Sequence, residues 1–356
     1  MSWLVVASHR GDRKVAQDRT ERREAVAGSL LWEFDLAELR LAPQHLFRAR
    51  AGDAAVTLSL VTGDRVHVTL RAGDRFCQMS TGFGRPGARG SLRVTLRWDA
   101  RAGDSTLTAE NLAAGTLRQQ AVDVAPALTG KELRGLVRCW DHRHPSLVWH
   151  AAADHLHPVG PGICMAGDTP IPTARGHLPL SGLRQGDRVI TRDGGLSKVL
   201  WCGSVEVPAL GAYAPVRLKA PPFGHGGDLV VQPSHRLALS GPDVDYMFGE
   251  DEVLVEAGAL LDGETVVPEL AGPLFRYHGL LLDDHHIIAP GGCPMESLCI
   301  GGLARDRDLA MTTPLADLAR SGRLPVQRRT ALRDAEQYEA AALAIARRAG
   351  RSLFAA

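Results

Sequence analysis

Several stretches of the chain alternate apolar and polar residues with a period of two. In Arg65-Val66-His67-Val68-Thr69-Leu70-Arg71, the residues Val66, Val68 and Leu70 share one face. Ser91 to Trp98 repeats the pattern with Leu92, Val94, Leu96 and Trp98. A period of two with one wet face predicts antiparallel strands. The pairs Gly52-Asp53, Gly63-Asp64, Gly73-Asp74 and Gly103-Asp104 punctuate these stretches. They are turn signals, and their spacing fits short strands joined by tight loops. Residues 1–137 are therefore expected to form an antiparallel β-sandwich.

The run Gly90 to Asp99, followed by Ser105-Thr106-Leu107-Thr108-Ala109-Glu110, resembles the laminin-G or concanavalin-like jelly rolls. That resemblance implies sugar binding in many relatives and calcium in some. The Asp residues here stand in Gly-Asp turns, where capping the backbone is the expected role rather than holding calcium.

From 138 to 161 the alternation stops. His142, His144, His150, His155 and His157 crowd there with Asp141 and Asp154, between Pro145, Pro158 and Pro161. His142 and His144 have a spacing that an extended segment could offer to a metal. The prolines and the lost periodicity favour a linker. Trp140 and Trp149 are then read as pins holding that linker to a domain. Val159-Gly160-Pro161-Gly162 reads as an exposed approach to Cys164.

Composition narrows the classes. A formal net charge of +1 gives no field to hold DNA, RNA or an anionic membrane. The six cysteines (Cys77, Cys139, Cys164, Cys202, Cys293 and Cys299) include no C-x-x-C pair. This argues against a zinc ribbon or thioredoxin motif, and reduced, mostly buried thiols are expected. No metal or cofactor is called for. The start, Met1-Ser2-Trp3-Leu4-Val5-Val6-Ala7-Ser8-His9-Arg10, lacks the form of a signal peptide, and no stretch is apolar for the ~20 residues of a membrane span. The expected compartment is the cytoplasm, with export by a signal-free route left open.

Strand and turn signals resume in the back half. Asp187-Arg188-Val189-Ile190 leads into an Asp193-Gly194 hairpin turn, and Leu229-Val230-Val231 runs into Gln232-Pro233-Ser234-His235. Three blocks then stand in order: Cys164 with Gly186-Asp187, His235 behind its strand, and Asp284-His285-His286 before Gly291-Gly292. This order resembles the Hint superfamily, the self-processing modules of hedgehog proteins and inteins, and within it the bacterial proteins that carry a variable front domain. The resemblance covers residues 162–300 and implies an all-β disc with the cysteine at its centre. The whole chain is expected to be all-β, a sandwich followed by a Hint disc and short C-terminal helices.

The resemblance also implies chemistry. The Cys164 thiol would attack the Ile163 carbonyl, an N-to-S acyl shift, with His235 serving the scissile amide. His285, favoured over His286, would be the third-block partner, with Asp284 fixing its tautomer. Gln232 stands where the family usually has Thr. Ile163 is β-branched where hedgehog proteins have a small residue, which hinders attack on its own carbonyl. The chain's one asparagine, Asn111, lies far upstream, so Asn-driven splicing is not expected. Lys198 stands where hedgehog proteins carry an aspartate, so sterol transfer is not expected either. Water or a small nucleophile is left to cleave the thioester and release the front domain, the module's own intramolecular substrate. Two other readings stay open. One is a binding protein, with a carbohydrate or protein ligand for the front domain and an inert Hint scaffold. The other is a thiol hydrolase acting on other molecules.

Residues 301–356 read as a tail with a short helix near Pro314–Arg320. An amphipathic helix follows, with Leu332, Ala335, Ala342 and Ile345 on one face and Gly350 as its stop.

Overall fold

The computed structural model describes residues 2–8, 11–13, 24–40, 42–84, 90–330 and 332–354. They are mostly β and divide into two compact units, Met1–Gly160 and Pro161–Ala356. Among the described residues, no helix is long and apolar enough to cross a membrane.

The first unit is a sandwich of two antiparallel sheets. The larger runs, edge to edge, through Thr116–Val122, Asp104–Asn111, Ser91–Asp99, Ala27–Asp35, Leu147–Ala153, Trp3–Ser8 and Gly11–Arg13. The smaller runs through Trp140–Arg143, Gln44–Ala51, Ala54–Thr62, Arg65–Ala72 and Arg75–Gly82. Val66, Val68 and Leu70 meet Leu92, Val94, Leu96 and Trp98 in one core as the alternation predicts, but the opposite face of Ser91–Asp99 is not wet, since Arg93 and Thr95 are buried there. Gly52, Gly73 and Gly103 turn the hairpins with φ of 59°, 58° and 79°, a region only glycine enters freely. A helix, Gly130–Arg138, adds Leu133, Leu136 and Val137 to the core. It starts at a capping box in which Thr129 and Glu132 each satisfy the other's backbone N–H.

The stretch expected as a linker differs. Trp140–Arg143 pairs with Gln44–Ala51, and Leu147–Ala153 lies inside the larger sheet between Ala27–Asp35 and Trp3–Ser8. Two of its histidines are built into the packing. His150 is buried and its Nε2 donates to the Val137 carbonyl at 2.8 Å, while His157 packs on Trp3 with ring centroids 5.0 Å apart. A short central strand buried on both faces needs no alternation, so the periodicity test missed it. Trp149 is fully buried, whereas Trp140 stays exposed with the Arg143 guanidinium 4.6 Å over its ring.

The second unit holds three sheets around a second core. The first is six-stranded: Trp201–Pro208, Leu274–Leu281, Met165–Ala166, Leu229–Val231, Val216–Leu218 and Val266–Pro268. A four-stranded sheet contains the Asp193-Gly194 hairpin, with Gly194 at φ 81°. A five-stranded sheet runs Ile287–Ile288, Met295–Glu296, Arg236–Ser240, Glu252–Glu256 and Arg333–Asp334. Met165, Val231, Leu237, Leu280 and Met295 bring the sheets together in the core.

The tail also departs from expectation. Its helix spans Gln337–Phe354, so Leu332 and Ala335 precede it and Gly350 lies within it. Ala340 and Leu343 are buried, while Ala342 and Ile345 face out. Packing on the Ala257–Leu260 turn, not the longest apolar run, sets the helix's phase. All six cysteines are free, and Cys139 is exposed rather than buried.

Candidate active site

Cys164 immediately precedes the two-residue strand Met165–Ala166, which sits between Leu229–Val231 and Leu274–Leu281. Met165 pairs with Val231 on one side and His278 on the other. The ladder continues one step: the Gln232 N–H donates to the Cys164 carbonyl at 2.7 Å. Gln232-Pro233-Ser234-His235 then turns, closed by the His235 N–H on the Gln232 carbonyl at 3.0 Å, with proline at the position where turns favour it. The turn places Ser234 and His235 two and three residues beyond the residue that bonds the Cys164 backbone. The Gln232 side chain is tied elsewhere, its Nε2 donating to the Ala212 carbonyl at 3.2 Å.

The thiol folds back toward the residues before it. A Cβ placed on Gly162 would lie 2.7 Å from the Cys164 sulfur and 4.0 Å from the Gln232 Oε1. A side chain at 162 would therefore collide with the sulfur. Ile163 is buried against Val207 and Tyr277, and the Tyr277 hydroxyl donates to the Tyr213 carbonyl at 3.0 Å. The expected exposed approach is thus only partly present: Gly162 is open, but Ile163 and Cys164 are 6% and 9% accessible.

His235 is buried, and its Nε2 has no hydrogen-bond partner among the described residues. Burial pushes its pKa down to about 4, which the nearby Glu296 carboxylate only partly offsets, so the ring is a neutral base at working pH. Burial pushes the Cys164 thiol well above the usual range, and Glu296 adds to this, while the Ser234 hydroxyl opposes it.

Glu296 anchors the polar side of the site. Arg236 grips it with both arms, Nε to Oε1 at 2.9 Å and a terminal nitrogen to Oε2 at 2.6 Å. His285, fully buried, reaches the same Oε2 with Nε2 at 3.1 Å. The Thr330 N–H donates to the His285 Nδ1 at 3.4 Å, which leaves the proton on Nε2, facing the carboxylate. These bonds hold Glu296 down at about 2 although burial alone would raise it. The carboxylate that orients His285 is therefore Glu296. Asp284, expected in that role, is instead bound by the Arg328 backbone N–H and guanidinium, at 2.8, 2.9 and 2.6 Å. The bonds to Arg328 draw Asp284 away from its neighbour's partner. His286 faces Asp283 at 3.6 Å, outside the cluster. Lys198 is exposed on its hairpin. Asn111 is buried in the first unit, where its side-chain oxygen accepts the Ala114 N–H at 3.2 Å.

Reading the sequence missed Ser234, Arg236 and Glu296. The first two flank His235 and stood within reach of the motif. Glu296 has no local signal: it is sixty residues beyond Arg236, and only the pairing of Leu237 with Met295 brings it in. Among the described residues, no three His, Cys, Asp or Glu side chains converge to hold a metal.

A family model, the Hint domain, matches residues 163–302, and this segment is a Hint domain. Among solved structures, the MchDnaB-1 intein is 17% identical, covering 37% of this chain and 98% of its own, with a TM-score of 0.23. The gp41-1 intein is 9% identical, covering 37% and 96%, with a TM-score of 0.25. The CBM40 of a Ruminococcus gnavus IT-sialidase is 16% identical, covering 36% and 77%, with a TM-score of 0.26. At scores this low, the likenesses decide nothing about either unit. No curated protein matches the chain.

Proposed function

We propose that the protein processes itself once, by cleavage between Ile163 and Cys164. The reading rests on one observation: His235 keeps a buried, neutral and unpartnered ring nitrogen on the turn that pins Cys164. The thiol proton passes to that imidazole as sulfur bonds to the Ile163 carbonyl carbon. The imidazolium then returns the proton to the Cys164 nitrogen while the carbon–nitrogen bond breaks. Water attacks the resulting thioester, giving an Ile163 carboxylate and a fragment with a free Cys164 amine and thiol. Gln232 holds the Cys164 carbonyl in line. His285 acts through Glu296 and is a positioning residue. No asparagine lies in the second unit to drive splicing.

Intact mass after expression tests this. Fragments of residues 1–163 and 164–356 are expected, and a single full-length species for Cys164→Ala. Full-length protein persisting for days in excess dithiothreitol overturns the reading. That second outcome would favour a binding protein with an inert Hint scaffold, a reading that the raised Cys164 thiol supports.

A further inference from the structure

One face of the first unit carries positive charge that the four longest strands of the smaller sheet do not neutralise. Gln44–Ala51, Ala54–Thr62, Arg65–Ala72 and Arg75–Gly82 contain no Asp or Glu. Alternation sends most of their apolar residues into the core and most of their polar residues outward. Register aligns the outward residues in rows. Arg50, Ala55, Arg71 and Phe76 form one row, and His142, Arg48, Thr57, Thr69 and Gln78 form the next. Ala55 therefore stands between two arginines and has nothing beyond Cβ to fill the space. The result is an open cleft of about 520 Å³, lined by Arg48, Arg50, Arg71, Thr57 and Ala55. That volume lies within the ~300–1,000 Å³ usual for small-molecule sites.

Three guanidinium groups around one gap repel each other until an anion enters it. The Arg71 side chain has no hydrogen-bond or ion-pair partner among the described residues. Arg50 meets Asp141 at 3.4 Å with side chains 71% and 49% accessible, a contact too wet to hold it. Arg48 spends one nitrogen on the His45 Nε2, at 3.0 Å, and keeps its other donors. The surroundings suit a sugar more than a bare ion. Phe76 ends the arginine row 54% exposed, a flat apolar surface for a ring face, and Thr57 offers a neutral hydrogen bond to a hydroxyl, while Thr69 and Gln78 each bond the His67 ring and keep one further polar group or lone pair. A nucleic acid would call for a long basic track, and the chain's net charge of +1 supplies no field for one.

We propose that this cleft binds an acidic saccharide, with its carboxylate or sulfate held by Arg48, Arg50 and Arg71. The test is an array of uronate-bearing, sulfated and neutral glycans, probed with the full-length Cys164→Ala chain. That background keeps the chain whole, so the result stands apart from self-cleavage. Retention of acidic glycans over their neutral counterparts is expected, and the preferred acid names the source. Arg71→Gln and Arg48→Gln are each expected to weaken binding about tenfold, as loss of a charged hydrogen bond does, with the thermal midpoint unchanged. No acidic glycan bound, no discrimination from neutral glycans, or no effect of Arg71→Gln overturns the proposal. So does displacement by inorganic phosphate or a DNA oligonucleotide at equal concentration, which would make the face a general anion patch.

Discussion

At the scale of single residues, the second unit stores a proton-acceptor where water cannot reach it. The His235 imidazole sits at about 4 in the folded chain, against roughly 6.5 in an unfolded one. Between those values the unfolded chain takes up a proton that the folded chain refuses. Stability from this source is therefore full above pH ~6.5 and falls as pH drops toward 4, by up to about 3 kcal/mol. Glu296, held near 2, adds a second loss that begins below its unfolded value of about 4.5. Urea titrations of Cys164→Ala between pH 7 and 4 are expected to show this acid limb, and His235→Gln to flatten its upper part. An unchanged slope in the histidine variant would remove His235 as its source. The same burial that keeps the imidazole neutral keeps the thiol protonated, so one device both restrains and equips the cysteine.

Among elements, the site depends on the turn Gln232–His235 and on what braces it. The Gly258 N–H donates to the Pro233 carbonyl at 2.7 Å, and the Ala257 N–H to the His235 carbonyl at 2.8 Å. A Cβ on Gly258 would lie 2.9 Å from the Pro233 Cβ and 3.2 Å from its carbonyl oxygen. Neither a proline ring nor a pinned backbone yields easily. Gly258→Val is expected to displace the turn, lower stability by about 1–3 kcal/mol, and slow cleavage more than a surface change of equal cost. Mass-resolved cleavage rates beside unfolding midpoints check this. A variant that loses stability but cleaves at the parent rate would show that the turn's position is not critical. Gln232, whose amide is spent on Ala212, serves this turn through its backbone.

On the scale of the whole molecule, two cores share no residue. Leu133, fully buried beneath the Gly130–Arg138 helix, belongs to the first alone. Leu133→Ala is expected to lower the first unit's stability by ~2–5 kcal/mol, seen by calorimetry as one transition moving down while the other holds. Both transitions moving together would mean that the units unfold as one. The sandwich was legible because Val66, Val68 and Leu70 have one wet face. Leu147–Ala153 was not, because a strand covered on both sides has no polar face to betray it.

Local pattern alone carried the all-β class and the hairpin glycines, since each depends on neighbours a few residues away, whereas the three blocks built on Cys164, His235 and His285 were read from a family resemblance. Tertiary structure alone decided that Glu296, not Asp284, faces His285, that three arginines from two strands share one cleft, and that the final helix buries Ala340 and Leu343. Those choices rest on strand register and packing between distant segments, and a side chain's nearest neighbour in space leaves no mark in the order of the chain.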